Sequence, residues 1–152
     1  MENDMPREYA TQMDAARCGI VTPEMKAVAK KEYRTEEEIR EWVAKGQVAI
    51  CANKLHDCIE PNGVGSMLRT KINVNLGVSR DCKDYDVEMK KVMAAVDMGA
   101  EAIMDLSSHG DTRPFRRKLT SECPAMIGTV PVYDSVIHYR RDLATLTARD
   151  FI

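Results

Sequence analysis

The amino-acid sequence predicts an α/β protein built from successive strand–helix units. Three short apolar runs have the pattern of parallel strands that end in polar side chains, and they occupy residues 71–77, 101–107 and 125–133. Asn75, Met104 and Tyr133 follow one another at intervals of 29 residues, about the length that a strand, a helix and a loop occupy in such a unit. Parallel strands that present reactive groups at their carboxyl ends are typical of α/β enzymes.

The composition is that of one globular domain and excludes several classes of function. The 152 residues are 44% hydrophobic and 30% charged with a net charge of −2, so nothing favours binding to nucleic acid or to a membrane surface. Neither a signal peptide nor a membrane-spanning run is recognised, and we expect a cytoplasmic protein. The five cysteines and three histidines have no metal-site spacing, which favours reduced thiols and predicts no metal site.

Capping signals predict two helices near the N-terminus. Thr22 precedes a proline, an arrangement that suits the N-cap and first position of a helix over 22–33. Thr35 and Glu38 have the spacing of a capping box and begin a second helix, which Gly46 ends.

The pattern divides the chain at residue 52. We expect residues 1–52 to form a helical region that serves in assembly, in which 1–21 are irregular and 48–52 form a short strand. Residues 53–152 are expected to hold the first strand–helix units of the α/β scaffold. They open with a predicted loop over 53–70, because that segment is rich in turn-forming residues.

Helices are predicted between and after the three strands. Apolar periodicity predicts a helix over 84–98, and a basic helix over 112–122 precedes the third strand. Its basic residues at 113–118, Arg116 among them, are expected on a face turned to solvent, and a phosphate contact is the alternative. A helix over 135–141 follows that strand. Residues 147–150 have the pattern of another capping box close to the last residue. We therefore expect an incomplete scaffold, since three parallel strands leave open edges and close no barrel.

The first strand of the repeat carries two candidate binding residues. Asn73 and Asn75 alternate with aliphatic residues, so both amides are predicted to lie on the same face of the sheet. An amide both donates and accepts hydrogen bonds, which suits a heterocycle or a sugar hydroxyl. The alternative is a pair of structural asparagines.

The other two strands end in further candidate groups. Met104, Asp105 and Ser107 place a thioether, a carboxylate and a hydroxyl at the end of the second strand. Because a buried carboxylate is unfavourable without a partner, Asp105 either contacts a ligand, caps the next helix or pairs with a neighbour. Tyr133 follows Pro131 and is expected above the carboxyl edge of the sheet, as a ligand contact or as a packing residue.

These residues lie in segments that resemble the ThiC family, the phosphomethylpyrimidine synthases of thiamine biosynthesis. The similar segments follow the family's order over nearly the whole chain: TQM at 11–13 with GIVTPEM at 19–25, Ala52-Asn53 with His56, KINVNLG at 71–77, AEAIMDLS at 100–107 and IGTVPVY at 127–133. The resemblance implies the N-terminal portion of a (β/α)₈ TIM-type barrel. It also implies radical chemistry that rearranges 5-aminoimidazole ribotide into hydroxymethylpyrimidine phosphate.

Site residues follow from the same resemblance. It implies that Asn75, Met104 and Tyr133 contact the ribotide. The polar residues next to them in the same segments are supporting candidates: Asn73, Asp105 and Ser107.

The resemblance also implies the cofactors of the whole family: S-adenosylmethionine, a [4Fe-4S] cluster and zinc. The family's C-terminal cysteine motif and zinc-binding histidines do not occur in this sequence. We therefore predict that this chain alone binds none of these cofactors and holds no catalytic residue. The expected partners are a second copy in a homodimer, or a complementing chain that carries the rest of the barrel and the cluster motif.

Two alternatives stay open at this point. Residues 74–84, 104–110 and 124–129 are somewhat more similar to the 5-hydroxybenzimidazole synthases of anaerobic cobalamin biosynthesis, which share the same ribotide and cofactors. A non-catalytic module for ribotide binding or for assembly is the second alternative.

Overall fold

The computed structural model describes residues 9–151 and divides the chain into two compact units. The first unit contains the residues up to 52 together with 60–70. The second contains residues 53–59 and those from 71 onward. No helix within the described range is long and apolar enough to cross a lipid bilayer.

The first unit combines three helices with a two-stranded antiparallel sheet. Its elements are α1 (Gln12–Arg17), α2 (Pro23–Glu32), α3 (Glu36–Ala44), β1 (Val48–Cys51) and β2 (Asn62–Gly65). Threonine side chains cap all three helices, because the Oγ1 atoms of Thr11, Thr22 and Thr35 accept hydrogen bonds from backbone N–H groups three residues later. The helix predicted from Thr22 and the capping box of Thr35 are therefore confirmed.

Two predictions for this unit are wrong. The expectation of irregular structure over 1–21 fails at α1, where the Thr11 cap and two fully buried alanines, Ala15 and Ala16, stabilise a short helix; residues 1–8 lie outside the described range. The loop predicted over 53–70 contains β2, which pairs with β1 in the register Cys51↔Asn62. Its asparagine and glycines have low strand propensity, so only the pairing partner reveals it.

The second unit is built on a three-stranded parallel sheet with the strand order β3-β4-β5. Its elements are β3 (Asn73–Leu76), α4 (Tyr85–Asp97), β4 (Ala102–Asp105), α5 (Arg113–Glu122), β5 (Met126–Thr129) and α6 (Pro131–Tyr139), followed by short 3₁₀ helices at Leu143–Thr145 and Ala148–Asp150. The predicted alternation of strands and helices is confirmed. The capping box of Thr147 and Asp150 is also present, and it begins the last 3₁₀ helix.

The core of this unit lies between one face of the sheet and helices α4 and α5. Ile103 of β4, Val92 of α4 and Leu119 of α5 are fully buried there, and Phe115 stacks on Tyr85 with 5.2 Å between the ring centroids. Each such apolar side chain contributes about 1.5–3 kcal/mol on burial. The amphipathic patterns of the two helices therefore dictate which side of each helix packs against the sheet.

The segment 53–59 is attached to the end of α5 through the backbone carbonyl groups of Thr120 and Cys123. The Cys123 carbonyl oxygen lies 2.6 Å from His56 Nε2 and accepts a hydrogen bond from the Cys58 thiol at 3.2 Å. All five cysteines have free thiols, and burial raises the pKa of the Cys123 thiol. His56 and Cys58 are thus structural groups of this unit.

The end of β3 is held by a buried carboxylate that the sequence pattern did not reveal. Glu88 of α4 is 1% exposed, and its Oε2 accepts a hydrogen bond from the Gly77 backbone N–H at 3.0 Å. Gly77 has a φ of +142°, and a Cβ atom there would lie 2.5 Å from the Ser107 backbone nitrogen. The loops that follow β3 and β4 therefore approach each other as closely as backbone permits.

We expect Gly77→Ala to lower the free energy of unfolding by about 2–5 kcal/mol, because backbone strain and a steric clash add. Gly99→Ala is the matched control: it also has a positive φ, of +94°, but no atom lies within 4 Å of its added Cβ. The control should lose only about 1–2 kcal/mol, the cost of the left-handed conformation. Urea denaturation of the full chain measures both values, and equal losses would contradict the close approach.

Candidate functional site

The candidate binding residues of β3 and β4 lie side by side on one face of the parallel sheet. Val74, Leu76, Ile103 and Ile127 pack on the helix-covered core, so the alternating residues occupy the opposite face. There Asn75 is the register partner of Met104, which is in turn the partner of Gly128. The row Asn75–Met104–Gly128 crosses all three strands.

The side chains of this row have a defined arrangement. Asn73 and Asn75 are both exposed, and Asn73 Nδ2 donates a hydrogen bond to Asn75 Oδ1 at 2.8 Å. This confirms that the two amides share a face. A Cβ atom at Gly128 would lie 2.8 Å from both Sδ and Cε of Met104, so the thioether extends over the neighbouring strand. Gly128 is not among the candidate residues predicted from the sequence, although a glycine within an apolar strand is a known sign of close approach.

Tyr133 is not part of the row. The third strand is shorter than the apolar run over 125–133 predicts, because β5 ends at Thr129 and α6 begins at Pro131. Proline has a fixed φ and no N–H group, and it therefore suits the first position of a helix better than the end of a strand. Tyr133 lies in the first turn of α6 with 40% of its surface exposed. The helix predicted over 135–141 therefore begins earlier than expected. The contact of Tyr133 with a ligand stays a prediction.

Asp105 and Ser107 are held in a network at the carboxyl end of β4. Asp105 is 1% exposed, and its Oδ1 accepts a hydrogen bond from the Ser107 N–H at 2.9 Å. The Ser107 hydroxyl oxygen accepts one from the Val78 N–H at 3.1 Å. These contacts fix the loops that follow β3 and β4, which corresponds to the structural alternative for Asp105.

Arg116 links this network to α6. Its Nε lies 3.3 Å from Asp105 Oδ2, and its Nη1 forms an ion pair with Asp134, whose Oδ1 accepts a hydrogen bond from the Thr112 hydroxyl at 2.8 Å. The prediction that Arg116 faces solvent is wrong, since only 24% of its side chain is exposed. A buried carboxylate requires a cation, so Asp105 itself was the sign that one of the nearby basic residues turns inward.

The electrostatics of this network favour its charged form. Burial opposes ionisation of Asp134, but hydrogen bonds from Arg116 and Thr112 outweigh it and hold the pKa of this carboxyl below its ordinary value. Burial likewise opposes the charge of Arg116, and its two carboxylate partners raise the pKa of the guanidinium despite it. Both groups are therefore charged throughout the physiological range.

A cavity of about 310 Å³ adjoins the network between the start of α5 and helix α6. Side chains of both charges line it, including Arg113, Arg116, Asp134 and His138. Its size suits a small polar molecule. Across residues 9–151, histidine, cysteine, aspartate and glutamate side chains form no group of three that could hold a metal ion, and we assign none of these residues to a cluster or to zinc.

We expect Arg116→Met to lower the free energy of unfolding by about 3–5 kcal/mol, because it leaves the Asp105 carboxylate buried without its cation. The double variant Asp105→Asn with Arg116→Met should recover part of this loss, since the buried charge is removed as well. Arg113→Met is the matched control, because its ion pair with Asp111 is exposed on both sides. Urea denaturation measures all three, and a loss no larger than that of the control would contradict the buried pair.

Comparison with known proteins identifies the family of this chain. The profile of the Radical SAM ThiC family matches residues 11–152. A phosphomethylpyrimidine synthase of Alkaliphilus oremlandii is 57% identical over 145 residues, which cover 95% of this chain and 33% of the relative. Proteins of the same name from Clostridioides difficile and Clostridium botulinum are 56% and 55% identical over 144 residues. The chain spans about a third of the length of these relatives, and it belongs to the radical SAM ThiC family.

Proposed function

We propose that this chain is the N-terminal portion of a phosphomethylpyrimidine synthase of thiamine biosynthesis and supplies part of the binding surface for 5-aminoimidazole ribotide. The observation that carries the proposal is the row Asn75–Met104–Gly128, which crosses one face of the parallel sheet in register. Asn75 and Met104 are two of the three residues for which the family resemblance implies contact with this ribotide.

The chemistry of the row suits a flat, polar heterocycle. Asn75 Oδ1 accepts a hydrogen bond from Asn73, so Asn75 offers its amide hydrogens to a ring nitrogen or to a ribose hydroxyl. The Met104 thioether lies over Gly128 and provides a polarisable apolar surface on which an imidazole ring can rest. Tyr133 would add a phenol at the same end of the sheet.

The proposal extends to the architecture of the whole enzyme. Strands β3, β4 and β5 are proposed as the first three strands of a (β/α)₈ barrel, whose interior face carries the row. Residues 1–52 are proposed to serve in assembly, as in a homodimer. S-adenosylmethionine, the [4Fe-4S] cluster and zinc would be bound by the rest of the barrel, on further residues or on a complementing chain, and would supply the radical chemistry.

The names of the relatives support the pyrimidine product. The three relatives described above are phosphomethylpyrimidine synthases, whereas the likeness to 5-hydroxybenzimidazole synthases rests on three short segments. We therefore propose hydroxymethylpyrimidine phosphate as the product of the complete enzyme.

Calorimetric titration of the purified chain with 5-aminoimidazole ribotide tests the binding surface. We expect saturable binding that weakens about tenfold in Asn75→Ala, where a hydrogen-bonding group is lost. Met104→Ala and Tyr133→Phe should weaken it as well. Met98→Ala and Tyr33→Phe are matched controls, because these side chains are 83% and 89% exposed outside the site.

Unchanged affinity in all three site variants would contradict the assignment of the ribotide contacts. A folded wild-type chain that binds no ribotide would contradict a preformed site in this chain and would direct the search to the partner that completes it.

The chain alone is expected to release no 5′-deoxyadenosine when supplied with S-adenosylmethionine, ribotide and a reductant. Cleavage of S-adenosylmethionine needs an electron from the iron–sulfur cofactor. We assign none of the residues in the described range to that cofactor. Chromatographic detection of 5′-deoxyadenosine measures the outcome, with a complete family member as the positive control. Turnover by the purified chain would contradict the prediction.

A further inference from the structure

We propose that Arg116 is a positioning residue that holds the first turn of α6, and with it Tyr133, at the carboxyl end of β4. It bridges Asp105, the last residue of β4, and Asp134, the residue that follows Tyr133. The inference rests on the proposed function only for the role of Tyr133 in ribotide binding. The mechanical link itself is a property of this chain.

The inner end of the bridge is buried and hydrogen-bonded. The Asp105 side chain is fully buried, and its second oxygen accepts a hydrogen bond from the Ser107 N–H. A guanidinium group is planar, permanently charged and carries several donors in fixed directions, so one arginine can hold two carboxylates at once. An ammonium group on a flexible lysine stem would not keep both partners in one geometry.

Helix α6 has few other contacts that fix its start. None of its residues is buried, and its N-cap residue, Val130, forms no side-chain capping bond. Asp134, by contrast, contacts both Arg116 and Thr112 of the preceding helix region. With so little apolar burial, this pair of polar contacts determines where the first turn of α6 lies.

The bridge from Asp105 through Arg116 to Asp134 determines the position of Tyr133. Its peptide unit adjoins that of Asp134 in the first helical turn, and 40% of the residue's surface is exposed. A displacement of about 1 Å in a positioning group can cost a large factor in binding or rate. A half-exposed phenol without a rigid support would lose its orientation.

Fluorine NMR of the full chain with 3-fluorotyrosine in place of its five tyrosines tests the bridge without any ligand. The Tyr133 resonance is assigned by its disappearance in Tyr133→Phe. In Asp134→Ala this resonance should shift and sharpen, and Arg116→Lys should have a similar effect. Asp134→Glu, which restores the carboxylate, should return it toward the wild-type position.

Asp111→Ala is the matched control, because it removes an aspartate that pairs with Arg113 at the start of α5. It should leave the Tyr133 resonance in place. Because Arg116 variants leave the buried Asp105 carboxylate without its guanidinium partner, Asp134→Ala is the decisive variant. Thermal unfolding verifies that this variant is folded. An unchanged Tyr133 resonance in folded Asp134→Ala would overturn the proposal.

Titration with 5-aminoimidazole ribotide separates this inference from the proposed function. Asp134→Ala should bind about tenfold more weakly than wild type, the effect of one lost charged hydrogen-bonding contact. A moved resonance with unchanged affinity would overturn the positioning role. A wild-type chain without ribotide affinity would contradict the proposed function. A shift of the Tyr133 resonance in Asp134→Ala would still support the bridge.

Discussion

The buried carboxylate of Asp105 is the constraint on which the second unit depends. It sits at the last position of β4, where burial without a partner would be strongly unfavourable. The Ser107 N–H and the Arg116 guanidinium satisfy it, which forces α5 to present Arg116 inward and brings Asp134 to the same place. The path of the loop after β4, the rotation of α5 and the start of α6 all follow from one charge.

A second buried carboxylate acts in the same way one strand earlier. Glu88 reaches from α4 to the backbone N–H of Gly77, immediately after β3. In both cases a helix side chain satisfies a polar group at or directly after the carboxyl end of a four-residue strand. The carboxyl ends of β3 and β4 are therefore polar, and hydrogen bonds hold their groups in place above the apolar core. This suits the edge of an α/β sheet at which ligands bind.

Local signals in the sequence were sufficient for the elements whose stability is local. Threonine caps and apolar periodicity predicted α2, α3 and α4, and strict alternation placed Asn73 and Asn75 on one face. The even spacing of Asn75, Met104 and Tyr133 was only partly meaningful, because the true partner of Met104 in β5 is Gly128. Long-range requirements were not visible: β2 exists through its pairing with β1, and Arg116 turns inward because of a carboxylate eleven residues earlier.

The interleaving of the chain between its two units has a consequence for how this protein can be divided. The backbone passes from the first unit to the second after residue 52, returns at residue 60 and leaves again after residue 70. A single cut after residue 52 would separate β1 from β2, its only partner in that sheet within the described residues. A cut after residue 70 would remove His56 and Cys58 from the Cys123 carbonyl they contact. Neither unit can be exchanged as one continuous stretch of sequence. Gene fusion or exchange at one junction would leave an incomplete fold on either side.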